Sequence, residues 1–409
     1  MRIASLVAVL VALAAVASMG CIQGEAPRPS PAATVDATSL VLMLTPTPVT
    51  TPTLAPTESP SPAAPTGINE TGLNKTTEVR MPRGIKDANL AVEVYASDKV
   101  FPGTTLFSNI HDAQKPRIVE VNMLGEVVWE YVLPENLKRY VNPGFDASRL
   151  SNNNVLFVLP LKGVYEVNRN GAIVWSYLDA KVSHDADRLA NGNTLVVWGG
   201  ADGKDDAQVK EISPEGKVVW SWCAKDYYNK APYDTINREN SWTHANAATR
   251  LSNGNTLISL RNFQLTIEVA PNGSIVWSHD WSSFGNSVDP HDPELLSNDN
   301  LLVCLPPIDA PYPAVEINRT TGKTVWTYSK PGLMSSRDCD RLPNGNTMIV
   351  TVNTNIPRDE SNGEKVWESQ VIEVTPSGEI VWQLSLKNAP STRSPGWLYK
   401  AERIPAESP

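Results

Sequence analysis

An all-β, six-bladed β-propeller, with its ring closed by the C-terminal strand, is the fold this sequence predicts. Three observations carry that reading. A short phrase ending in Trp recurs six times at blade-like intervals, a second phrase of the form Leu-x-Asn-x-Asn, with Gly most often at its fourth position, stands upstream of most copies, and the last residues resemble the opening strand of a repeat. Self-similarity at such a period is the mark of a propeller or solenoid.

The first phrase reads Glu126-Val127-Val128-Trp129, then Ala172 to Trp175, Lys217 to Trp220, Ser274 to Trp277, Lys323 to Trp326 and Glu379 to Trp382, each preceded by Gly. Successive Trp residues lie 46, 45, 57, 49 and 56 positions apart. The second phrase includes Leu189-Ala190-Asn191-Gly192-Asn193 and Leu251-Ser252-Asn253-Gly254-Asn255. Asn-Gly between apolar runs predicts a hairpin whose two central residues both take positive φ. Each unit then reads as a strand, the Asn-Gly turn, a second strand such as Thr256–Leu260, a third such as Thr266–Val269, a Gly turn and a fourth strand ending in Trp. Four antiparallel strands make a propeller blade, and the Trp is assigned to packing between blades. The first unit, around Thr104–Phe107, lacks a copy of the opening strand, and Ala401-Glu402-Arg403-Ile404 supplies one. Closure of this kind removes a sheet edge.

The N-terminal region reads differently. Residues 1–20 hold Arg2 and an apolar run too short to span a bilayer, as in a signal peptide, followed by Ser18-Met19-Gly20-Cys21. Small residues before a Cys resemble a lipoprotein processing site, so Cys21 is the expected lipid anchor. The stretch from 21 to 84 is rich in Pro, Thr, Ala and Ser and is expected to form a stalk rather than a core; residues 85–409 are expected to form the propeller. The chain is therefore expected to be exported and held at the outer face of the cell membrane. Sequons at Asn69, Asn74, Asn272 and Asn318 permit glycosylation there. The net charge is −9 and no Lys/Arg run occurs, which argues against a nucleic-acid partner. With Cys21 lipidated, Cys223, Cys304 and Cys339 remain, and their pairing is not legible.

The opening strand of each blade lies nearest the propeller axis. Counting back five residues from each repeat Leu or Ile gives Phe145, His184, Asn246, His291, Arg337 and Tyr399, with His244 two residues before Asn246. Three of the five His residues thus fall near one rim; His111 and His279 lie outside the pattern. Hairpin arithmetic with the turn centred between Asn253 and Gly254 pairs residue 261 with residue 246, so that His244, Asn246 and Arg261 share a face. Two chemistries suit this set. Three neutral His could hold a metal, with Asp185 and Asp292 orienting them. Alternatively His and Arg form an oxyanion site in which one neutral His is a nucleophile. A cationic Arg261 favours the second.

The pattern resembles the arylsulfotransferases that work without a nucleotide sulfate donor. The likeness runs over most of residues 140–406. It rests on His-Asp followed by Leu-x-Asn-Gly-Asn, on His244-Ala245-Asn246 with Ser259-Leu260-Arg261, and on Ala401-Glu402-Arg403-Ile404-Pro405. It implies a six-bladed propeller with a site in the central channel, and the family's residue order matches His184, His244, Arg261 and His291. Asn246 and Arg337 match substrate-binding positions. The implied activity is transfer of a sulfuryl group from a phenolic sulfate to an acceptor phenol through a sulfo-histidine, with no metal and no soluble cofactor. His291 is the expected acceptor, with His184, His244 and Arg261 as stabilisers. The N-terminal β-domain of the bacterial enzymes is not recognisable. A non-catalytic surface propeller that binds a protein or glycan is the alternative. A quinone-dependent dehydrogenase, suggested by Thr321-Gly322-Lys323, is a third reading that lacks the expected ligands.

Overall fold

The computed structural model describes residues 82–406, apart from 113, 286, 307–313, 358–364 and 388–397. The expectations for the signal peptide, for Cys21, for the stalk up to residue 81 and for the sequons at Asn69 and Asn74 lie outside the described residues. Among those described, no helix is long and apolar enough to cross a membrane.

Six antiparallel sheets form the six blades. The strand Ala401–Pro405 pairs with Gly103–Asn109 and completes the first blade from the far end of the chain, as expected. The sixth blade departs from the four-strand pattern. A strand at Leu90–Tyr95 adds to the outer edge of Ile380–Leu386, giving five strands. The added strand covers what the other blades leave open: Val381 and Trp382 are fully buried, whereas Val174 and Val276 on equivalent edges are 53% and 54% exposed.

The hairpin turns differ from the expectation of two positive φ angles. In Leu251–Asn255 the Gly254 N–H donates to Leu251 O, and only Gly254, at φ +85°, is left-handed. This is a type I turn closed by a left-handed bulge residue. The Asn before it stays right-handed because its Oδ1 accepts the N–H of Asn255. Asn153 and Asp299 take the left-handed position in the blades without Gly, the two residue types that tolerate it best.

A repeated clasp joins neighbouring blades. Each third strand carries a buried Glu, for example Glu166, which accepts from Asn152 and Asn154 of its own hairpin turn and from Arg188 of the next blade at 2.8 Å. The same Arg188 lies over the Trp175 ring, 4.6 Å from its centre, and Trp175 Nε1 donates to Pro214 O of the next blade. The Trp phrase is therefore an inter-blade fastener, as its recurrence implied. At the closure the fastener is Arg403 with Glu373, an ion pair of 3.2 Å in which both side chains are fully buried, and Arg403 covers Trp382.

Candidate functional site

The inner strands place chemistry in layers along the channel. At one mouth a cavity of about 390 Å³ is lined by His184, His244, His291, Arg261, Arg337 and Tyr399, among others. Five of these six were expected in the site from the sequence. Phe145 turns instead into the apolar cluster of the second blade, and its neighbour Gly144 lines the cavity. A Cβ at Gly144 would fall 1.8 Å from His184 Nδ1, so that close approach requires glycine.

Arg261 arrives beside His244 by a route other than the one expected. The turn shifts the hairpin register by one residue, so Arg250 faces Thr256; a bulge at Asn246 shifts it by one more, so Ala245 faces Leu260. Residue 261 then stands opposite His244 rather than Asn246, and the two shifts restore the parity that brings them together. Arg261 Nη1 lies 3.0 Å from His244 Nε2. Asn246, displaced by the bulge, is buried, and its Nδ2 donates to Pro290 O at 3.1 Å. Ser259 Oγ donates to the same carbonyl at 2.6 Å. Asn246 thus supports the backbone just before His291.

His244 is pinned by the third blade. Asp202 accepts from the His244 N–H at 3.2 Å and from Thr243 Oγ1 at 2.7 Å. An Arg donor on His244 Nε2 means that this nitrogen is the acceptor and the ring is neutral. Burial, and then Arg261, pulls the His244 pKa down to about 2; burial, with Arg337 and Arg261, pulls His184 to about 3. His184 stacks on His244 with centroids 5.5 Å apart and packs against Tyr399 at 5.2 Å.

His291 Nδ1 lies 2.9 Å from the backbone oxygen of Asp289. A carbonyl only accepts, so Nδ1 carries the proton and Nε2 holds a free lone pair. Burial first, and then Arg337 and Arg261, hold this ring well below the usual pKa. The partner that fixes His291 is thus a backbone carbonyl, and its neighbour Asp292 turns the other way.

Asp292, with Asp185 and Asp146, belongs to the next layer down the channel, around Lys400. Lys400 Nζ lies 2.8 Å from Asp292, 2.7 Å from Asp185 and 3.9 Å from Asp146. Those carboxylates keep the buried ammonium well above its ordinary pKa, against the effect of burial. Asp185 and Asp292 therefore do not orient the His rings.

Two acidic residues that the sequence reading missed complete the upper layer. Asp289 clamps two arginines: its carboxylate accepts from Arg238 at 2.5 and 2.9 Å and from Arg261 Nε at 3.0 Å. Glu239 faces the other end of the Arg261 guanidinium, with Oε2 2.7 Å from Nη1 and Oε1 3.0 Å from Nη2. Arg337 lies over the Tyr399 ring at 6.0 Å; burial lowers it to about 10, and it stays cationic at neutral pH. Arg261 occupying the lone pair of His244 disfavours a three-histidine metal site on electrostatic grounds.

A family model described as Arylsulfotransferase (ASST) matches residues 91–283, which bears out the resemblance read from the sequence. The match includes His184, His244 and Arg261 and ends before His291. No curated protein matches the chain. Among solved structures, a protein of unknown function from Bacteroides caccae aligns at 21% identity with a TM-score of 0.50, covering 73% of this chain and 98% of its own. Virginiamycin B lyase from Staphylococcus aureus aligns at 12% identity and a TM-score of 0.42, covering 73% and 99%. BamB from Moraxella catarrhalis aligns at 13% and 0.36, covering 73% and 91%. The first likeness concerns the fold alone.

Proposed function

We propose that this chain, whose residues 91–283 match the arylsulfotransferases, transfers a sulfuryl group from a phenolic sulfate ester to an acceptor phenol through a sulfo-histidine in the central channel. The family match supports aryl sulfotransferase activity in general. The observation that carries the finer reading is the fixed tautomer of His291, whose Nδ1–H is held by Asp289 O in a cavity shared with two further neutral His and two Arg.

In the first half-reaction the Nε2 lone pair attacks sulfur, the N–S bond forms, the S–O bond to the aryl oxygen breaks, and phenolate leaves. In the second, the oxygen of an acceptor phenol attacks the same sulfur, the N–S bond breaks with its electron pair returning to Nε2, and the phenolic proton passes to solvent. His291 returns to its neutral form. Negative charge shifts onto the aryl oxygen in the transition state. Arg261 and Arg337 stabilise it in a site with little water, where fixed charges act strongly. The neutral rings of His184 and His244 serve as donors through whichever nitrogen carries hydrogen. Asn246 acts through Pro290, holding the turn that presents His291.

The test is to add donor alone to purified protein and map the adduct by mass spectrometry at alkaline pH. Wild type should carry a sulfuryl group on His291, and His291→Ala should carry none. Arg261→Ala should form the same adduct about 10²–10³ times more slowly, the scale for loss of one oxyanion donor. An adduct that persists in His291→Ala, or that maps to His184 or His244, refutes the assignment.

From the signal-like residues 1–20 and the small residues before Cys21 we also propose that the protein is exported and anchored through lipid on Cys21. Cys21→Ser should release it from the membrane fraction or block its processing. A mature wild-type protein that is freely soluble and starts elsewhere would overturn the anchor.

A further inference from the structure

Arg261 is the group best placed to hold a sulfuryl oxygen, yet most of its N–H groups are taken. Nε–H points to Asp289, Nη1 is shared between His244 and Glu239, and Nη2 meets the second oxygen of Glu239. The Glu239 carboxylate lies across the guanidinium edge in the two-oxygen geometry that a sulfate ester would itself adopt. The two carboxylates differ in setting. Asp289 is buried, with a side chain 8% exposed, and is also held by Arg238. The Glu239 side chain is 56% exposed and lines the cavity.

The local backbone sharpens the contrast. Arg238 and Ser241 exchange backbone hydrogen bonds, and Glu239 and Asn240 form the tip between them with φ of +56° and +58°. Both central residues are left-handed, as in a type I′ turn, where Asn, Asp and Gly are the favoured residues. Glu at the first position breaks that preference. A local rule broken at a site is where a functional demand is to be sought, and the demand visible here is a carboxylate over Arg261.

We infer that Glu239 is a built-in anion that occupies the Arg261 seat in the empty site and is displaced by the sulfuryl group of the donor. Glu239 is thereby a specificity-determining residue. With Glu239 seated, it and Asp289 offset two of the three positive charges of Arg238, Arg261 and Arg337; once Glu239 is displaced, the net positive charge facing the incoming anion rises from one to two. Small anions must compete with a tethered carboxylate, whereas an aryl sulfate adds the apolar contact of its ring. Leu161, Pro143, Pro160 and Pro306 line the same cavity and suit such a ring. The inference rests on the reading of Arg261 as the sulfuryl seat.

Inorganic sulfate is the probe, titrated calorimetrically into wild type, Glu239→Gln, Glu239→Ala and Arg261→Ala at fixed ionic strength. Both Glu239 variants should bind sulfate roughly two- to fivefold more tightly than wild type, the scale of a half-exposed ion pair. Arg261→Ala should bind it more weakly, and adding Glu239→Gln to Arg261→Ala should change nothing further. In turnover with an aryl sulfate, Glu239→Gln should lower KM while kcat changes little. Equal or weaker sulfate binding by both Glu239 variants, or no measurable binding by any form, overturns the inference. A side chain this exposed on a turn tip leaves the core untouched, and the two replacements guard against a fault peculiar to either. If sulfate affinity rises as expected but no form gains an adduct on His291, the anion seat stands and the sulfotransfer reading falls. An adduct with unchanged sulfate affinity has the reverse meaning.

Discussion

Asp289→Asn separates two functions that one residue combines. Its backbone oxygen holds the His291 Nδ1–H at 2.9 Å, and its side chain holds Arg261 and Arg238. Asn preserves volume and backbone but removes the charge and turns one acceptor into a donor that faces a guanidinium. Hydrogen bonds to charged groups contribute about 1.5–3 kcal/mol each. Only part of that loss reaches the transition state, because the bound sulfuryl group still holds the other edge of the Arg261 guanidinium. A misplaced oxyanion donor should cost less than a deleted one, so the donor half-reaction should slow by about 10- to 100-fold. The adduct should still form on His291, because its tautomer depends on the backbone. The assay is the burst of phenolate after rapid mixing with a chromogenic aryl sulfate, with the adduct mapped in the same samples. In an Arg261→Ala background the added Asp289→Asn change should cost little, since the two act as one unit. A burst within about twofold of wild type would refute the positioning role. So would complete loss of the adduct, which would mean that the side chain, not the backbone, sets His291.

Three further outcomes follow from burial. Arg403→Ala strands Glu373, a side chain with no solvent exposure, and should cost about 3–5 kcal/mol in urea unfolding, as for a broken buried pair; Arg169→Ala, whose side chain is 26% exposed, should cost about 1 kcal/mol or less, and equal costs would refute a special role for the closure. His184 and His244, held near 3 and 2, and His291, held well below the usual value, all have folded pKa values under the ordinary 6.5. The unfolded chain therefore binds more protons between those limits, and these rings withdraw about 1.4 kcal/mol each per pH unit as pH falls below 6.5. The donor half-reaction should accordingly show no protonation limb near pH 6.5. Asp187 behaves in the opposite sense: burial and then Asp185 raise it to about 8, so its folded pKa exceeds the unfolded 3.8 and its contribution falls as pH rises from about 4 to 8. Asp187→Asn should flatten the fall in melting temperature between pH 5 and 8, and an unchanged profile would contradict this.

The blade count, the strand boundaries and the closure by Ala401–Pro405 were legible because repetition, Asn-Gly turns and β-branched runs are local signals that recur. So was the gathering of His184, His244, His291, Arg261 and Arg337, because a fixed offset from the repeat Leu or Ile marks equivalent inner-strand positions, which a closed ring brings to one rim. The register that joins Arg261 to His244 was not legible. A bulge at Asn246 leaves no mark in the residue pattern, and a turn with one left-handed residue shares its sequence with a turn that has two. Nor could the sequence show Glu239 and Asp289 over Arg261, or that Asp185 and Asp292 face Lys400. Those pairings join residues far apart in the chain, and only the closed ring decides which side of each strand meets which neighbour. Local composition fixes the elements, whereas a charge pair depends on where the side chains of separate blades converge.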